Sequence, residues 1–271
     1  MIQSRYLALD LGATKFASML SLDGAPSPLR TMIIPSLDNA KEEFAHIAQF
    51  LAEEYYAIRG EPILCAAPCL DEEGHVISWP NRPYWCGFPL LDQLQLCLGC
   101  PVGYLGDGEA AALADADKVE GVIYISLYFG TGIASGIVAN TKALRFGPVN
   151  SELGHIVVDP QGPNCVCGKI GCVQAVWRSY IQGNTERDKL IKNLAQLTVT
   201  LSQIFPACVI TFGGRLLEIP DNVTVKIRSA IDEIAPPTAW SPTVKSSMYG
   251  GSAPIVGAMN EAVRRESTNG H

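Results

Sequence analysis

The stretch Tyr6-Leu7-Ala8-Leu9-Asp10-Leu11-Gly12-Ala13-Thr14-Lys15-Phe16 is an apolar run broken only by Asp10, followed by a turn of small residues, and a second apolar run continues to Leu22. This pattern reads as a β-hairpin with a tight turn. About 118 residues further on the device recurs: Val122 to Phe129, the turn Gly130-Thr131-Gly132, then Ile133 to Val138. Two such hairpins at equivalent places predict two α/β lobes of like construction, a repeat on the scale of half a molecule rather than a solenoid.

The segments around the hairpins fit that plan. A strand is predicted near Thr31–Ile34, then a helix capped by Ser36 or Asp38, with Phe44, Ile47, Phe50 and Leu51 on one face, running to about Tyr56 and ended by Gly60. Further strands are expected at Ile63–Ala67, Val102–Leu105 and Cys208–Phe212. Helices are expected at Leu90–Leu98, Glu109–Ala116, Val173–Tyr180, Glu186–Phe205 and Pro254–Arg265. The Pro- and Gly-rich stretch Pro68–Pro89 carries Trp79 and Trp85. The expected division is an N-terminal lobe over 1–107 and a C-terminal lobe over 108–253, with the final helix, about 254–271, able to pack back on the first.

With 271 residues, 48% of them hydrophobic and 17% charged, the chain can fill a real core, and disorder, collagen and coiled coil are excluded. Lys, Asp, Gly or Pro interrupts every apolar run before the roughly 18–20 residues of a membrane span. Asp10 and Lys15 fall where the apolar centre of a signal peptide would lie, so a soluble, cytoplasmic protein is expected. A net charge of −7 without a Lys/Arg cluster argues against a general nucleic-acid surface.

Both turns present backbone N–H groups beside a Thr hydroxyl, which suits phosphate oxygens; an ordinary hairpin turn is the plain alternative for each. Neither is a Walker A loop, and Gly130, Gly132 and Gly136 lead into a strand, so a dinucleotide oxidoreductase is disfavoured. Asp107, between Gly106 and Gly108 at the start of a helix, is either a general base or a helix N-terminal carboxylate favoured by the dipole. Asp10 is either a turn residue or a carboxylate near Mg²⁺.

Nine cysteines, an odd number unevenly spaced, argue for thiols or metal ligands rather than disulfides. His155, Cys165, Cys167 and Cys172, set among glycines, have the composition of a closed, tetrahedral, structural Zn²⁺ site. Cys97 and Cys100 read as buried thiols rather than a redox pair, and Cys65, Cys69, Cys86 and Cys208 as core. His46 and His75 show no partner in the sequence.

Taken in order, Leu9–Lys15, Gly106-Asp107-Gly108, Gly130-Thr131-Gly132, Glu152-Leu153-Gly154-His155 and Cys165-Val166-Cys167-Gly168-Lys169-Ile170-Gly171-Cys172 resemble the ROK family of sugar kinases. The resemblance implies a two-lobed, actin-like (ribonuclease H-like) ATPase fold with the zinc site in the second lobe. It implies that Asp10, Gly12, Ala13, Thr14 and Lys15 form a first phosphate motif, Asp10 lying near Mg²⁺. Gly130, Thr131 and Gly132 correspond to a second such motif, and Gly213 and Gly214 to the adenosine-side glycines. Asp107 matches the general base, and Asn81, Glu152 and His155 match sugar-binding residues, His155 binding zinc through its other ring nitrogen. Gln174 stands where the family has a Glu that touches the sugar.

The activity so implied is ATP-dependent phosphorylation of a hexose or N-acylhexosamine on a primary hydroxyl, O6 being expected, by a homodimer that binds neither nucleic acid nor membrane. Three departures from the family pattern, Gly106, Gln174 and Pro68-Cys69, all touch the sugar pocket. They keep open a catalytically weak sugar-binding or regulatory protein, or a kinase of a sugar-like cyclitol. The first strand begins by Tyr6, which leaves no room ahead of it for the helix-turn-helix of the family's repressors.

Overall fold

The computed structural model describes residues 5–22, 25–55, 63–116, 121–145, 151–235, 238 and 241–269. In chain order the elements are β1 (Arg5–Leu11), β2 (Lys15–Leu22), β3 (Ala25–Pro26), β4 (Arg30–Ile33), α1 (Ala40–Tyr55), β5 (Ile63–Ala67), β6 (Cys69–Leu70), β7 (Val76–Ser78), α2 (Leu90–Leu98), β8 (Val102–Gly106) and α3 (Asp107–Asp115). There follow β9 (Ile123–Phe129), β10 (Ile133–Ala139), β11 (Lys142–Ala143), α4 (Val173–Ile181), α5 (Arg187–Ile204), β12 (Val209–Gly214), α6 (Val223–Ile234), β13 (Thr243–Ser246) and α7 (Ala253–Asn269).

Two compact units result, one of Met1–Ala114, Arg145–Asn150 and Pro254–His271, the other of Asp115–Leu144 and Ser151–Ala253. The first is built on a sheet in which β1 pairs antiparallel with β2 and parallel with β5, and β5 pairs parallel with β8. In the second, β9 pairs antiparallel with β10 and parallel with β12, and β12 parallel with β13. The likeness foreshadowed by the two hairpins thus extends to the strand order and direction of both sheets.

Strand β1 reads as an apolar run because both of its faces are covered. Alternation sends Leu7, Leu9 and Leu11 into a core with Phe44, Ile47 and Leu51 of α1 and Leu94 of α2, while Tyr6 and Ala8 meet Ala110 of α3 and Ile255, Ala258 and Met259 of α7. On that second face, a Cβ added to Gly257 would lie 1.7 Å from Ala110 O, so only glycine permits the approach of α7 to α3. The core of the other unit gathers Ile125, Leu127, Phe129, Trp177, Leu194 and Phe212.

Several expectations need correction. Helix α1 is capped by neither Ser36 nor Asp38: Asn39 Oδ1 accepts Lys41 N–H at 3.0 Å and Glu42 N–H at 3.3 Å, and Asp38 has φ 53°. Gly60 lies outside the described residues. The cut expected after residue 107 falls inside α3, which starts at Asp107 and packs with the first unit through Ala114. Helix α6 and strand β13 were not expected at all. The two cysteines Cys86 and Cys97 are exposed rather than core, since each lies on the outer side of its turn or helix. His75 pairs with Asp71, Nδ1 to Oδ1 at 3.4 Å. None of the described helices is long and apolar enough to cross a membrane.

Candidate functional site

In the first unit the β1–β2 turn closes with Gly12 N–H donating to Lys15 O at 3.0 Å, and Thr14 O accepts Ile34 N–H at 2.9 Å. Thr14 is exposed at the tip, and Asp10, one residue before the strand ends, is buried. Asp107 begins α3 directly after β8, and its Oδ1 accepts Gly108 N–H at 2.8 Å. The register Asp10↔Ala66 and Ala66↔Leu105 brings both carboxylates to the same end of the sheet. Burial, reinforced by the charge of Asp107 and opposed by Lys15, pushes the Asp10 carboxyl up to about 7. Burial also raises Asp107, to about 6, with Glu109 adding to the rise and the Gly108 N–H opposing it. A buried carboxyl kept from ionising partly by a neighbouring carboxylate, as Asp10 is, is a group that a divalent cation would suit.

Around this pair lie residues that motif reasoning did not single out. Glu109 is buried, and its Oε2 accepts Gly106 N–H at 2.9 Å while Arg145 closes on both of its oxygens. Arg145 also stacks over Tyr104, 5.0 Å from the ring centroid. Asn81 is exposed, between Trp79 and Arg82, both buried. Arg82 donates to Ala13 O at 2.6 Å and to Pro35 O at 3.1 Å, and pairs with the fully buried Glu43. Glu43 also accepts from Tyr84 Oη at 2.6 Å, Trp85 Nε1 at 2.6 Å and Leu37 N–H at 2.9 Å. Burial alone would raise the Glu43 carboxyl, yet these hydrogen bonds outweigh it and hold the group low. The sequence clue was the place of Glu43 on the same helix face as Ala40, Phe44 and Ile47.

In the second unit the β9–β10 turn is closed by Gly130 N–H donating to Gly132 O at 2.9 Å. Gly213 and Gly214 end β12, and Gly214, at φ 69°, has Phe129 O only 2.2 Å from where a Cβ would be. Leu153–His155 form a short 3-10 turn that Ser135 fastens to β10, accepting Leu153 N–H at 3.1 Å. Glu152 Oε2 and His155 Nε2 lie 3.7 Å apart. Gln174 does not extend with them: its Oε1 accepts Ile133 N–H at 3.0 Å, in the interior.

The other ring nitrogen of His155, Nδ1, lies 3.3 Å from Cys165 Sγ, and Cys167 Sγ lies 3.6 Å from Cys172 Sγ. All four ligand atoms fall within 4.8 Å of one another. Ligand bonds of about 2.0–2.3 Å in a tetrahedron require edges of this size, so the four residues fit Zn²⁺. Burial, aided by Lys169, favours neutral imidazole at His155, the form that ligates.

An α/β protein of two sheet-centred units, each opening on a strand–turn–strand with a Gly- and Thr-bearing turn, is thereby defined, one with an acidic pair and the other with a Cys₃His cluster. Residues 6–179 match the model of the ROK family, and the chain belongs to that family. It is 33% identical over 180 residues to the N-acetylmannosamine kinase of Pasteurella multocida (strain Pm70), covering 64% of this chain and 59% of that protein. To the kanosamine kinase of Amycolatopsis mediterranei (strain S699) it is 32% identical over 178 residues, 63% of this chain and 58% of the other. The matched part therefore spans about three fifths of the length of these relatives. Its fold resembles the ROK family glucokinase from Streptomyces griseus solved with glucose and AMPPNP, at a TM-score of 0.76 and 22% identity, over 96% of this chain and 100% of that one.

Proposed function

We propose that the protein phosphorylates a hexose or N-acylhexosamine on a primary hydroxyl, O6, using ATP and Mg²⁺, with Asp107 as general base. The observation that carries this reading is Asp107 itself: a carboxylate at a strand-to-helix junction, raised to about 6 by its surroundings and therefore suited to take a proton near neutral pH. Asp107 accepts the hydroxyl proton as the sugar oxygen forms its bond to the γ-phosphorus, while the bond from that phosphorus to the β,γ-bridging oxygen breaks and ADP leaves. The turns Gly12–Lys15 and Gly130–Gly132 offer backbone N–H groups to phosphate oxygens, and Gly213 and Gly214 admit the adenosine side. Asp10 would hold Mg²⁺, which would supply charge neutralisation to the phosphates. Asn81, Glu152 and His155 hold sugar hydroxyls; Cys165, Cys167, Cys172 and His155 Nδ1 would hold Zn²⁺, which would fix the imidazole whose Nε2 lies 3.7 Å from Glu152 Oε2.

This reading takes the two units as the lobes of an actin-like ATPase and the protein as a cytoplasmic homodimer without nucleic-acid partners. The commitment of Gln174 Oε1 to a backbone amide and the bare Gly106 favour a second reading, in which a sugar pocket with fewer contacts takes a sugar-like cyclitol or serves weak, regulatory sugar binding. An ADP-release assay over glucose, mannose, N-acetylglucosamine, N-acetylmannosamine, kanosamine and inositols separates the two. One hexose or hexosamine is expected to support turnover, and D107N to lower it about 10²–10⁴-fold. Silence across the sugars with turnover on a cyclitol selects the second reading, and an unchanged rate in D107N removes the base.

A further inference from the structure

Helix α4 grips the Gly130–Gly132 turn at both ends. Gln174 Oε1 accepts Ile133 N–H at 3.0 Å, and three residues along the same helix face Trp177 Nε1 donates to Gly130 O at 3.0 Å. Both side chains are buried. Trp177 is itself fixed edge-on against Phe129, the last residue of β9, with centroids 5.1 Å apart and planes at 82°. A Cβ on Gly132 would approach Gln174 Oε1 to 3.1 Å, so amide and glycine are fitted to one another. The helix starts directly after Cys172, whose carbonyl accepts Val176 N–H at 3.0 Å and whose thiol belongs to the Cys₃His cluster.

We propose that Gln174 is a positioning residue of this turn, and that with Trp177 it makes α4 a clamp which presents the turn to the phosphates of the nucleotide. The inference rests on the reading of the turn as a phosphate site. A loop of backbone N–H groups binds an anion well only if it is held in place beforehand and its carbonyls point elsewhere. Trp177 draws the Gly130 carbonyl inward, and Gln174 anchors the first residue of the returning strand. The side-chain oxygen supplies the acceptor that the buried Ile133 N–H needs at this place. Gln174 thereby serves the nucleotide rather than the sugar.

Calorimetric titration with ADP and Mg²⁺, and separately with glucose and N-acetylmannosamine, tests the assignment in Q174L and Q174E, alongside hydrogen exchange of the Gly130–Ile133 amides. Leucine keeps the volume and removes the acceptor, while glutamate keeps the acceptor and adds charge. Q174L is expected to weaken ADP about 5- to 10-fold without changing sugar affinity, and Q174E, which keeps the acceptor, to bind ADP more tightly than Q174L; exchange at Ile133 should rise in Q174L and stay slow in Q174E. Unchanged ADP affinity in both variants, or a loss confined to the sugar, overturns the inference. If the wild type binds no ADP, the phosphate reading fails, and the clamp then stands or falls on whether exchange at Ile133 rises in Q174L.

Discussion

Arg82 Nε donates to Ala13 O at 2.6 Å, so the guanidinium next to the proposed sugar-binding Asn81 also holds the β1–β2 turn that is proposed to meet phosphate. The same group reaches Pro35 O at 3.1 Å and Tyr84 Oη at 3.1 Å, and its charge is balanced by the buried Glu43. Four donors meet the two oxygens of Glu43, which is the condition under which a buried ion pair is tolerated.

Removing one member leaves the other charged, buried and unpaired. R82M should therefore lower unfolding stability by about 3–5 kcal/mol, measured by urea denaturation. R82K keeps the charge but cannot span Ala13, Pro35 and Tyr84 together, and should lie between wild type and R82M. A midpoint for R82M equal to that of the wild type would show that the pair does not hold the turn.

The charge of Asp107 gives a pH prediction of definite sign. Its carboxyl moves from 3.8 to about 6, chiefly through burial, so the folded state holds this proton more tightly than the unfolded chain does. The stability it contributes is complete below pH 3.8 and is lost as pH rises through about 6. D107N should raise the melting temperature at pH 8 and confer no advantage near pH 3.8. The proposed catalysis runs the other way: Asp107 as general base must be unprotonated, so turnover by the wild type should fall as pH drops below about 6. A melting temperature for D107N below that of the wild type at pH 8 would contradict the burial of this carboxyl.

How far these arrangements could be read beforehand depended on their range along the chain. Strands β1 and β9 were legible because central strands covered on both faces are apolar throughout and their turns need small residues. The Cys₃His cluster was legible because its ligands fall within one short segment. Helix α6 was not, although Val223, Ile227 and Ile231 recur at helical spacing: Asn222 before it is left-handed, at φ 51°, and offers no side-chain cap. The Glu43–Arg82 pair and the bond from Gln174 to Ile133 join residues far apart in sequence, so no local pattern records them. Resemblance placed Gln174 on the sugar side, whereas its contact is with a backbone amide of the neighbouring hairpin.

The α3–α7 contact depends on the absence of a single carbon. Ala110, Ala258 and Ala262 line it, and Gly257 comes so close to Ala110 O that an added Cβ would lie 1.7 Å from it. Backbone cannot yield as a flexible side chain does, so G257A must push the helices apart, at about 1–3 kcal/mol or more. Thermal unfolding reads the loss. Gly99 serves as a control: nothing lies within 4 Å of its Cβ position, although its φ of 68° adds a smaller backbone penalty on substitution. Equal effects of G257A and G99A would remove the steric argument.

The metal cluster yields the last expectation. Gly171 has φ 72°, and a Cβ there would lie 1.5 Å from Asp159 O, while Gly168 N–H donates to Cys165 O at 3.0 Å; the loop is thus folded so that its thiols converge. Without a cation, convergence is unfavourable: burial, with the neighbouring thiols adding to it, pushes Cys172 up to about 12, whereas Cys167 is held low mainly by the Lys169 N–H. Zinc reverses this by ligating thiolates, so binding should release protons and tighten with rising pH. Protein prepared under reducing conditions should carry one equivalent of zinc by elemental analysis. C167S should reduce that content with little change in packing, because Cys167 is exposed; C172S, at the buried N-cap of α4, should lower the melting temperature as well. Since α4 carries Gln174 and Trp177, stripping zinc with a chelator should also raise amide exchange in the Gly130–Ile133 turn. A wild type that carries no zinc, and whose melting temperature does not respond when zinc is added, would rule out the structural role.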